Sequence, residues 1–207
     1  MNKIFLFIFA VLLSVSSIAF DKQLDLENRL NHLKNIFLEF KQKIIDKDGK
    51  QIFDAQGKLW IKDKTTFYIH IDSPSPVKVI SNGKTVWHFN IKDRSVTVLP
   101  FEHMKKNVQI LSMLNDPSFL KAIVNKHKNN AFNMILSEKF LPYKKININI
   151  TEEGIIKRAE FIDDTGERII FEFRSQNKWD VEPDKFNFVI PERTEVNDLR
   201  LSNSSNS

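Results

Sequence analysis

The sequence predicts a mainly β protein of the α+β class, in which a curved antiparallel sheet packs its apolar side against helices. Apolar and small residues alternate with polar ones along Phe53–Ile61, which is the pattern of a half-buried strand. The dipeptide Asn82-Gly83, set between two apolar runs, is a strong hairpin signal. Apolar residues recur at helical spacing in two stretches, 24–38 and 107–127. Because a series of antiparallel strands leaves open edges, we expect an incomplete β-barrel whose concave side is covered by the helices.

The first helix is predicted from Leu24 to Leu38, because its apolar residues lie three and four positions apart. These residues are Leu26, Leu30, Leu33, Phe37 and Phe40. The second helical stretch is divided into two short helices by Asn115-Asp116-Pro117. Its apolar residues are Ile110, Leu111, Leu114, Phe119, Leu120, Ile123 and Val124.

Eight more strands are predicted from short apolar or alternating runs that are separated by turn residues. They span residues 67–71, 77–81, 85–90, 95–99, 132–136, 146–150, 155–161 and 169–173. Phe186-Asn187-Phe188 closes the apolar pattern before Pro191. No internal repeat and no domain boundary interrupts this series.

The first 19 residues have the pattern of a cleavable export signal. A short positive start precedes the apolar run Ile4–Val15, and small residues at 17 and 19 favour cleavage after Ala19. The alternative is a membrane anchor, but the apolar run is shorter than the roughly 20 residues that a spanning helix needs. We therefore expect a signal peptide at 1–19 and a single domain at 20–200. The Ser- and Asn-rich residues 201–207 are expected to be disordered.

Composition excludes several classes of chemistry. The 207 residues contain no cysteine, which rules out disulfides, thiolate catalysis and Cys-based zinc sites. The formal net charge is +5, and an exported domain is an improbable partner for nucleic acid, so the basic surface could instead face anionic lipid or an acidic partner. The 18 phenylalanines fit either a Phe-rich core or an apolar ligand cavity.

No catalytic residue, metal site or cofactor site is predicted. The five histidines lack metal-ligand spacing, and no nucleophile elbow or phosphate-binding glycine loop occurs. The adjacent acids Asp163-Asp164 lie in a predicted turn, where such residues are favoured for turn geometry. The sequence therefore favours a binding or carrier module over an enzyme.

Several motifs resemble one known family when they are taken in order. A helix leads to Phe40-Lys41-Gln42, and the motifs Gly57–Lys62 (GKLWIK) and Ser81–Asn90 (SNGKTVWHFN) follow. Lys185–Phe188 and Val196–Asp198 end the series. In this order the chain resembles LolA, a family of periplasmic carriers of outer-membrane lipoproteins, from about Leu24 to Arg200.

The resemblance implies an incomplete antiparallel β-barrel, closed by a helical lid over a cavity that holds acyl chains. It also implies a monomeric periplasmic chaperone. Such a carrier receives lipoproteins from an inner-membrane lipoprotein-releasing ABC transporter and hands them to a LolB-like outer-membrane receptor. The absence of a cysteine for lipid attachment favours the soluble carrier over that receptor.

Two sets of residues are predicted to form the site. Phe67 matches a cavity phenylalanine of the family, and strand parity adds neighbours on the same or adjacent strands. The predicted cavity consists of Leu59, Ile61, Phe67, Ile69, Ile71, Trp87 and Phe89. The predicted lid consists of Leu26, Leu30, Leu33, Phe37, Ile110, Leu111, Leu114, Phe119 and Ile123. The sequence alone favours permanent core for these faces, and only the resemblance favours a lid.

One motif departs from the family pattern. After LWIK the family commonly has Arg-Pro, whose arginine is thought to hydrogen-bond the closed lid, whereas this chain has Asp63-Lys64. An ionised aspartate cannot donate, and Lys62 or Lys64 lacks the planar fork of arginine. Lid control is therefore expected to differ, with a weaker closed state.

Two other functions stay open at this point. The first is a periplasmic module of the same fold that senses lipid or stray lipoprotein. The second is a hydrolase or isomerase that uses the cavity, for which His70 and His88 would be the residues to test.

Overall fold

The computed structural model describes residues 21–104, 122–136, 143–179 and 182–200. Twelve strands form one open sheet in the order β12-β6-β5-β4-β3-β2-β1-β11-β10-β9-β8-β7. The strands are β1 (Ile36–Ile45), β2 (Gln51–Ile61), β3 (Thr66–Ser73), β4 (Val77–Asn82), β5 (Thr85–Asn90), β6 (Ser95–Pro100), β7 (Ile123–Lys126), β8 (Ala131–Ile135), β9 (Tyr143–Ile150), β10 (Ile156–Asp163), β11 (Arg168–Lys178) and β12 (Glu195–Asp198). Helix α1 covers residues 21–31, helix α2 is the single turn Phe101–Met104, and a 3-10 turn covers Pro183–Phe186.

Pairing between strands confirms the mainly β prediction and the hairpin series. Every adjacent pair is antiparallel except β12, which lies parallel to β6. Gly83 adopts φ +92° in the predicted turn between β4 and β5, a conformation that glycine adopts at no steric cost. Strand β1 lies between β2 and β11, so it joins the two halves of the sheet.

The two faces of the sheet have different surroundings. Residues that pair across antiparallel strands point to the same face, so the pairs Leu38–Leu59, Leu59–Ile69 and Ile69–Val79 define one side, here called the inner face. Most of the buried core lies on that side. The opposite side, here called the outer face, contains Trp60 and its neighbours on β3 and β5.

The predicted helix over Leu24–Leu38 is wrong in its second half. Helix α1 ends at residue 31, and the chain is extended from Ile36 onward. Buried Ile36, Leu38 and Phe40 have a period of two, because β1 pairs with both β2 and β11. Phe37 therefore does not lie on a helix. It points to the outer face, where its ring lies 5.0 Å from that of Trp60.

The predicted helical insertion falls only partly within the described residues. Ile110, Leu111, Leu114 and Phe119 lie outside them. Ile123 does not continue a helix but begins β7, where it is 64% exposed. Pairing of β7 with β8 fixes this extended conformation, which apolar spacing alone did not reveal.

The C-terminal segment crosses the outer face. Phe186 is 2% exposed, and the ring of Phe188 lies 6.3 Å from that of Trp87 and 5.4 Å from that of Phe89. The ammonium of Lys185 lies over the rings of three aromatic residues at 4.2 to 5.8 Å. These residues are Trp60, Tyr68 and Trp179. The last described residues then add β12 to the edge strand β6.

Candidate functional site

Five of the predicted cavity residues lie together on the inner face. Strand β2 pairs with β3 through Leu59–Ile69, Ile61–Phe67 and Gly57–Ile71, so these side chains share one side of the sheet. Four of them are buried at 8% exposure or less, while Ile71 is half-buried. The structure thus groups Leu59, Ile61, Phe67, Ile69 and Ile71, and their contact with a ligand stays a prediction.

Trp87 and Phe89 do not belong to this group. Trp87 pairs with Ile80, which in turn pairs with Tyr68 on the outer face. Phe89 lies on the same side two residues later and packs with Val96, Val98 and Phe188 in a second, smaller cluster. The prediction that both residues share a face with Phe67 is therefore wrong, because parity within a strand does not tell which side of that strand faces the main core.

The inner face extends over strands that sequence reasoning did not assign to the site. The ring of Phe171 lies 6.1 Å from each of the rings of Phe40, Phe161 and Phe173. Further buried residues on the same face come from β8, β9 and β10: Phe132, Met134, Ile146, Ile148 and Ala159. Alternation along β8–β11 was visible in the sequence and could have assigned these residues once the order of the strands was known.

Helix α1 packs on this inner face. Leu26 and Leu33 are 2% and 1% exposed within the main core, and Leu30 packs against it while partly buried. All three were predicted lid residues, and the structure places them over the sheet. Whether they move apart from it stays a prediction.

A buried arginine fastens α1 to the sheet. Arg29 is 2% exposed, and its Nη1 donates to Asn130 Oδ1 at 2.8 Å and to the Ile150 carbonyl at 2.9 Å. Its Nε donates to Asp25 Oδ1 at 2.7 Å, and its guanidinium lies 5.1 Å from the ring centre of Phe132. Sequence reasoning missed this residue, although Asp25 and Arg29 have the i,i+4 spacing of a helical ion pair.

The acid of this pair is held ionised. Partial burial alone would raise the pKa of Asp25, but hydrogen bonds from Arg29 and from Lys126 Nζ, at 2.8 Å, lower it below the usual value. Asp25 therefore joins α1 to β7, while Arg29 joins it to the turn that precedes β8 and to the end of β9.

A glycine lets the end of α1 approach the turn between β9 and β10. Gly154 has φ +78°, and a Cβ there would collide with the side chain of His32 and lie 3.0 Å from the Arg29 carbonyl oxygen. Absence of a side chain is therefore needed both for the turn and for the close approach of the helix.

Asp63 stands where the family commonly has arginine, and its carboxylate is hydrogen-bonded within its own hairpin. Asp63 Oδ1 accepts the backbone N–H groups of Thr65 and Thr66, both at 2.8 Å, and the Thr65 hydroxyl at 3.0 Å. Burial opposes ionisation, but these hydrogen bonds lower the pKa of Asp63 below its usual value. Asp63 thus holds the β2–β3 turn, and control of a lid by Lys62, Asp63 or Lys64 stays a hypothesis.

The polar residues Ser81, His70 and His88 lie in three different settings. Ser81 is fully buried, but its Oγ donates to the Thr65 carbonyl at 2.6 Å. His70 pairs with Lys58 and Lys78, which places it on the outer face, while His88 pairs with Val79 on the inner face. Because the two histidines lie on opposite faces, they cannot share a site.

The described part of the chain contains neither a candidate metal site nor a candidate membrane-spanning helix. No cluster of three or more His, Asp or Glu residues there could hold a metal ion. Among the helices that the structure describes, none has the length and apolarity needed to cross a bilayer.

Comparison with known proteins places this arrangement in a family. Residues 31–189 match the family described as "Outer membrane lipoprotein carrier protein LolA". The chain is 28% identical over 190 residues to an outer-membrane lipoprotein carrier protein of Yersinia pestis bv. Antiqua (strain Angola), covering 91% of this chain and 94% of the relative. The corresponding carrier of Yersinia enterocolitica is 26% identical, with coverage of 91% and 93%.

A solved structure shares the fold. An uncharacterized conserved protein from Thermus thermophilus superposes with a TM-score of 0.60, covering 85% of this chain and 98% of that protein at 10% identity. Since the family match spans most of the chain, and with it the inner face, the chain belongs to the LolA family of outer-membrane lipoprotein carrier proteins.

Proposed function

We propose that this protein is a periplasmic carrier that binds the acyl chains of lipoproteins on its inner face and delivers them to an outer-membrane receptor. The observation that carries the proposal is a single apolar face, built from aliphatic residues and phenylalanines, on which one helix packs through leucines and to which polar contacts at its edge fasten it. Family membership supports the same role.

The physical need for such a face follows from the hydrophobic effect. Each exposed methylene of an acyl chain costs about 0.8 kcal/mol in water, so a lipoprotein cannot cross an aqueous compartment unaided. A carrier must cover these chains and still release them. A sheet face that is closed by its own helix when empty meets both needs, because helix and ligand then compete for the same surface.

The moving part in this proposal is α1 together with residues 107–121, which precede β7. Leu26 and Leu30 on α1, with Leu33 just after it, are the side chains that would withdraw from the inner face. Ile110, Leu111, Leu114 and Phe119 would add a second covering segment. Withdrawal of these side chains would leave Phe67 and its neighbours open to acyl chains.

The proposed route begins with export through the signal peptide at 1–19. An inner-membrane lipoprotein-releasing ABC transporter would then load the carrier, and a LolB-like outer-membrane receptor would unload it. The protein acts as a monomer and needs neither cofactor nor catalysis, because transfer moves a bound ligand without making or breaking a covalent bond.

The first experiment is native mass spectrometry after co-expression with an outer-membrane lipoprotein. We expect a complex of one carrier with one lipoprotein. A mass that corresponds to the carrier alone would contradict the proposal. A complex that forms but passes no lipoprotein to outer-membrane vesicles would instead favour the sensing module.

The site is located by photo-crosslinking at two half-buried positions. A benzophenone side chain at Ile71 lies on the inner face, while the same group at Trp87 lies on the outer face. We expect adducts with the acyl chains from position 71 and none from position 87. Equal adducts from both positions, or adducts from 87 alone, would contradict binding at the inner face.

A further inference from the structure

The inner face is closed at one end of its strands and open at the other. Ile36, Ile61 and Phe67 form one row across β1, β2 and β3, and none of them is more than 1% exposed. Nearer the β1–β2 hairpin, on the same face, Ile44 is half-buried and its partner Phe53 is 39% exposed. Solvent therefore reaches the inner face from the hairpin end, which is here called the opening.

A glutamine lies on the inner face beside this opening. Gln42 pairs with Ala55 on β2 and with Phe171 on β11, and these two partners are 3% and 7% exposed. Because residues that pair across antiparallel strands share a face, the half-buried side chain of Gln42 lies between apolar neighbours. A polar side chain in such surroundings ordinarily has a hydrogen-bond partner within the protein.

No such partner occurs for Gln42 among the residues that the structure describes. Two other polar side chains on the inner face do have one. Ser81 Oγ donates to the Thr65 carbonyl at 2.6 Å, and Lys126 Nζ donates to Asp25 Oδ2 at 2.8 Å. The amide of Gln42 is not sealed from water either. Its hydrogen bonds are therefore directed to whatever enters the opening.

The chemistry of a suitable ligand follows from what covering this amide would do. A plain hydrocarbon over Gln42 would exclude water and leave the amide unpaired, which is costly. An acyl chain ends in an ester or amide carbonyl, and a glutamine amide has two N–H donors for such an acceptor. We propose that Gln42 donates a hydrogen bond to the carbonyl at the head of a bound acyl chain. This inference rests on the proposed function, because it names the contact that orients the ligand of the same inner face.

The length of the face beyond Gln42 fits such a chain. Ile36 and Gln42 are six positions apart on β1, which corresponds to roughly 20 Å at about 3.3 Å per residue. An extended long-chain acyl group has a comparable length. With its carbonyl at Gln42, the chain would run along β1 when α1 withdraws, and its methyl end would reach Ile61 and Phe67 at the closed end. Gln42 thereby sets both the depth and the direction of the chain.

The test compares two synthetic lipopeptides that differ only in the carbonyls of their chains. Each begins with a cysteine that carries a glyceryl group. In the ester peptide this group bears two palmitoyl chains in ester linkage, and in the ether peptide it bears two hexadecyl chains in ether linkage. A fluorescein label at the C-terminus of the peptide reports binding to the purified protein by fluorescence anisotropy, below the concentration at which the peptides aggregate.

Two variants accompany the wild type. Gln42→Met keeps the length of the side chain and removes the amide. Gln56→Met is the matched control, since exposed Gln56 pairs with Lys41 at the same level of the outer face.

We expect the wild type to bind the ester peptide about threefold to tenfold more tightly than the ether peptide, which is the effect of one neutral hydrogen bond. This preference should disappear in Gln42→Met and persist in Gln56→Met. The urea midpoint of Gln42→Met should match or exceed that of the wild type, because no hydrogen bond within the protein is lost.

Two binding results would overturn this role of Gln42 and leave acyl-chain carriage standing. The first is equal wild-type affinity for the two peptides, and the second is a preference for the ester that survives in Gln42→Met. A lower urea midpoint in Gln42→Met would likewise overturn it, by assigning the residue to the fold. Binding of neither peptide would contradict the proposed function as well.

Discussion

Replacing Arg29 with Met tests how α1 is attached to the sheet. Methionine keeps an apolar side chain of similar length but removes the guanidinium. The carbonyl of buried Ile150 and the amide oxygen of Asn130 then lose their donor. An unsatisfied buried acceptor costs about 1–3 kcal/mol. Asp25 keeps Lys126 as a partner, so we expect a total loss of about 2–3 kcal/mol in the free energy of unfolding.

The assay is urea-induced unfolding, monitored by far-ultraviolet circular dichroism. The variants are compared at equal m-values, so that a change in midpoint reports a change in stability. Hydrogen exchange shows where the stability is lost, because the backbone amides of α1 should exchange faster while those of the sheet stay protected. Arg158→Met is the matched control. Arg158 is 42% exposed, and its ion pairs among the described residues are with Glu160 and Glu172 on the outer face, an arrangement that stabilises by less than about 1 kcal/mol.

Two results would refute this reasoning. The first is a loss for Arg29→Met that does not exceed the loss for Arg158→Met. The second is a large loss in stability without faster exchange in residues 21–31, since that would place the effect in the sheet and not at the helix.

Four further predictions follow from the described contacts. Gly154→Ala should destabilise the protein by about 1–3 kcal/mol more than Gly166→Ala in urea unfolding, because both have positive φ but only the first would collide with the end of α1; equal losses would argue against the collision. Asp63→Arg should lower the unfolding free energy by about 1–2 kcal/mol through loss of its turn hydrogen bonds, and greater stability would instead support an arginine-controlled lid. Lys185→Met should cost about 1 kcal/mol in thermal unfolding while Lys185→Arg costs less, since only a cation is attracted to the three rings, and identical midpoints would exclude that attraction. The pKa of Asp25 is lower in the folded protein than its usual value near 3.9, so its contribution to stability is present above that value and is lost as the pH falls through the lower folded pKa. An Asp25→Asn protein should therefore lose less stability on acidification, measured by urea unfolding below about pH 4. An unchanged pH profile would contradict this role of Asp25.

The existence of most strands was predictable from the sequence, because alternation and turn residues are local signals. The sequence did not predict which side of each strand faces the main core. Trp87 and Phe89 have clear parity within β5, but the side on which they lie depends on pairing with β4 and on the C-terminal segment that covers them. Phe188, about a hundred positions later in the chain, supplies that cover.

The predicted end of the first helix was wrong for a related reason. Leu26, Leu33 and Phe37 fit a helical spacing by coincidence, since the last of them belongs to a strand placed between β2 and β11. Arg29 escaped notice because two of its acceptors lie 101 and 121 positions away. Such partners come together only in the folded chain, so no local pattern identifies them.

The length of the outermost strands of the sheet has a consequence for the opening of the core that we propose. The two ends of the described sheet are β7 and β12, each only four residues long. A long unpaired edge would be a template for pairing with a second copy, and the danger is greatest while apolar residues are uncovered. Short terminal strands leave little backbone for such pairing, so the proposed parting of helix and sheet would expose apolar residues beside edges that are poor templates for a second copy.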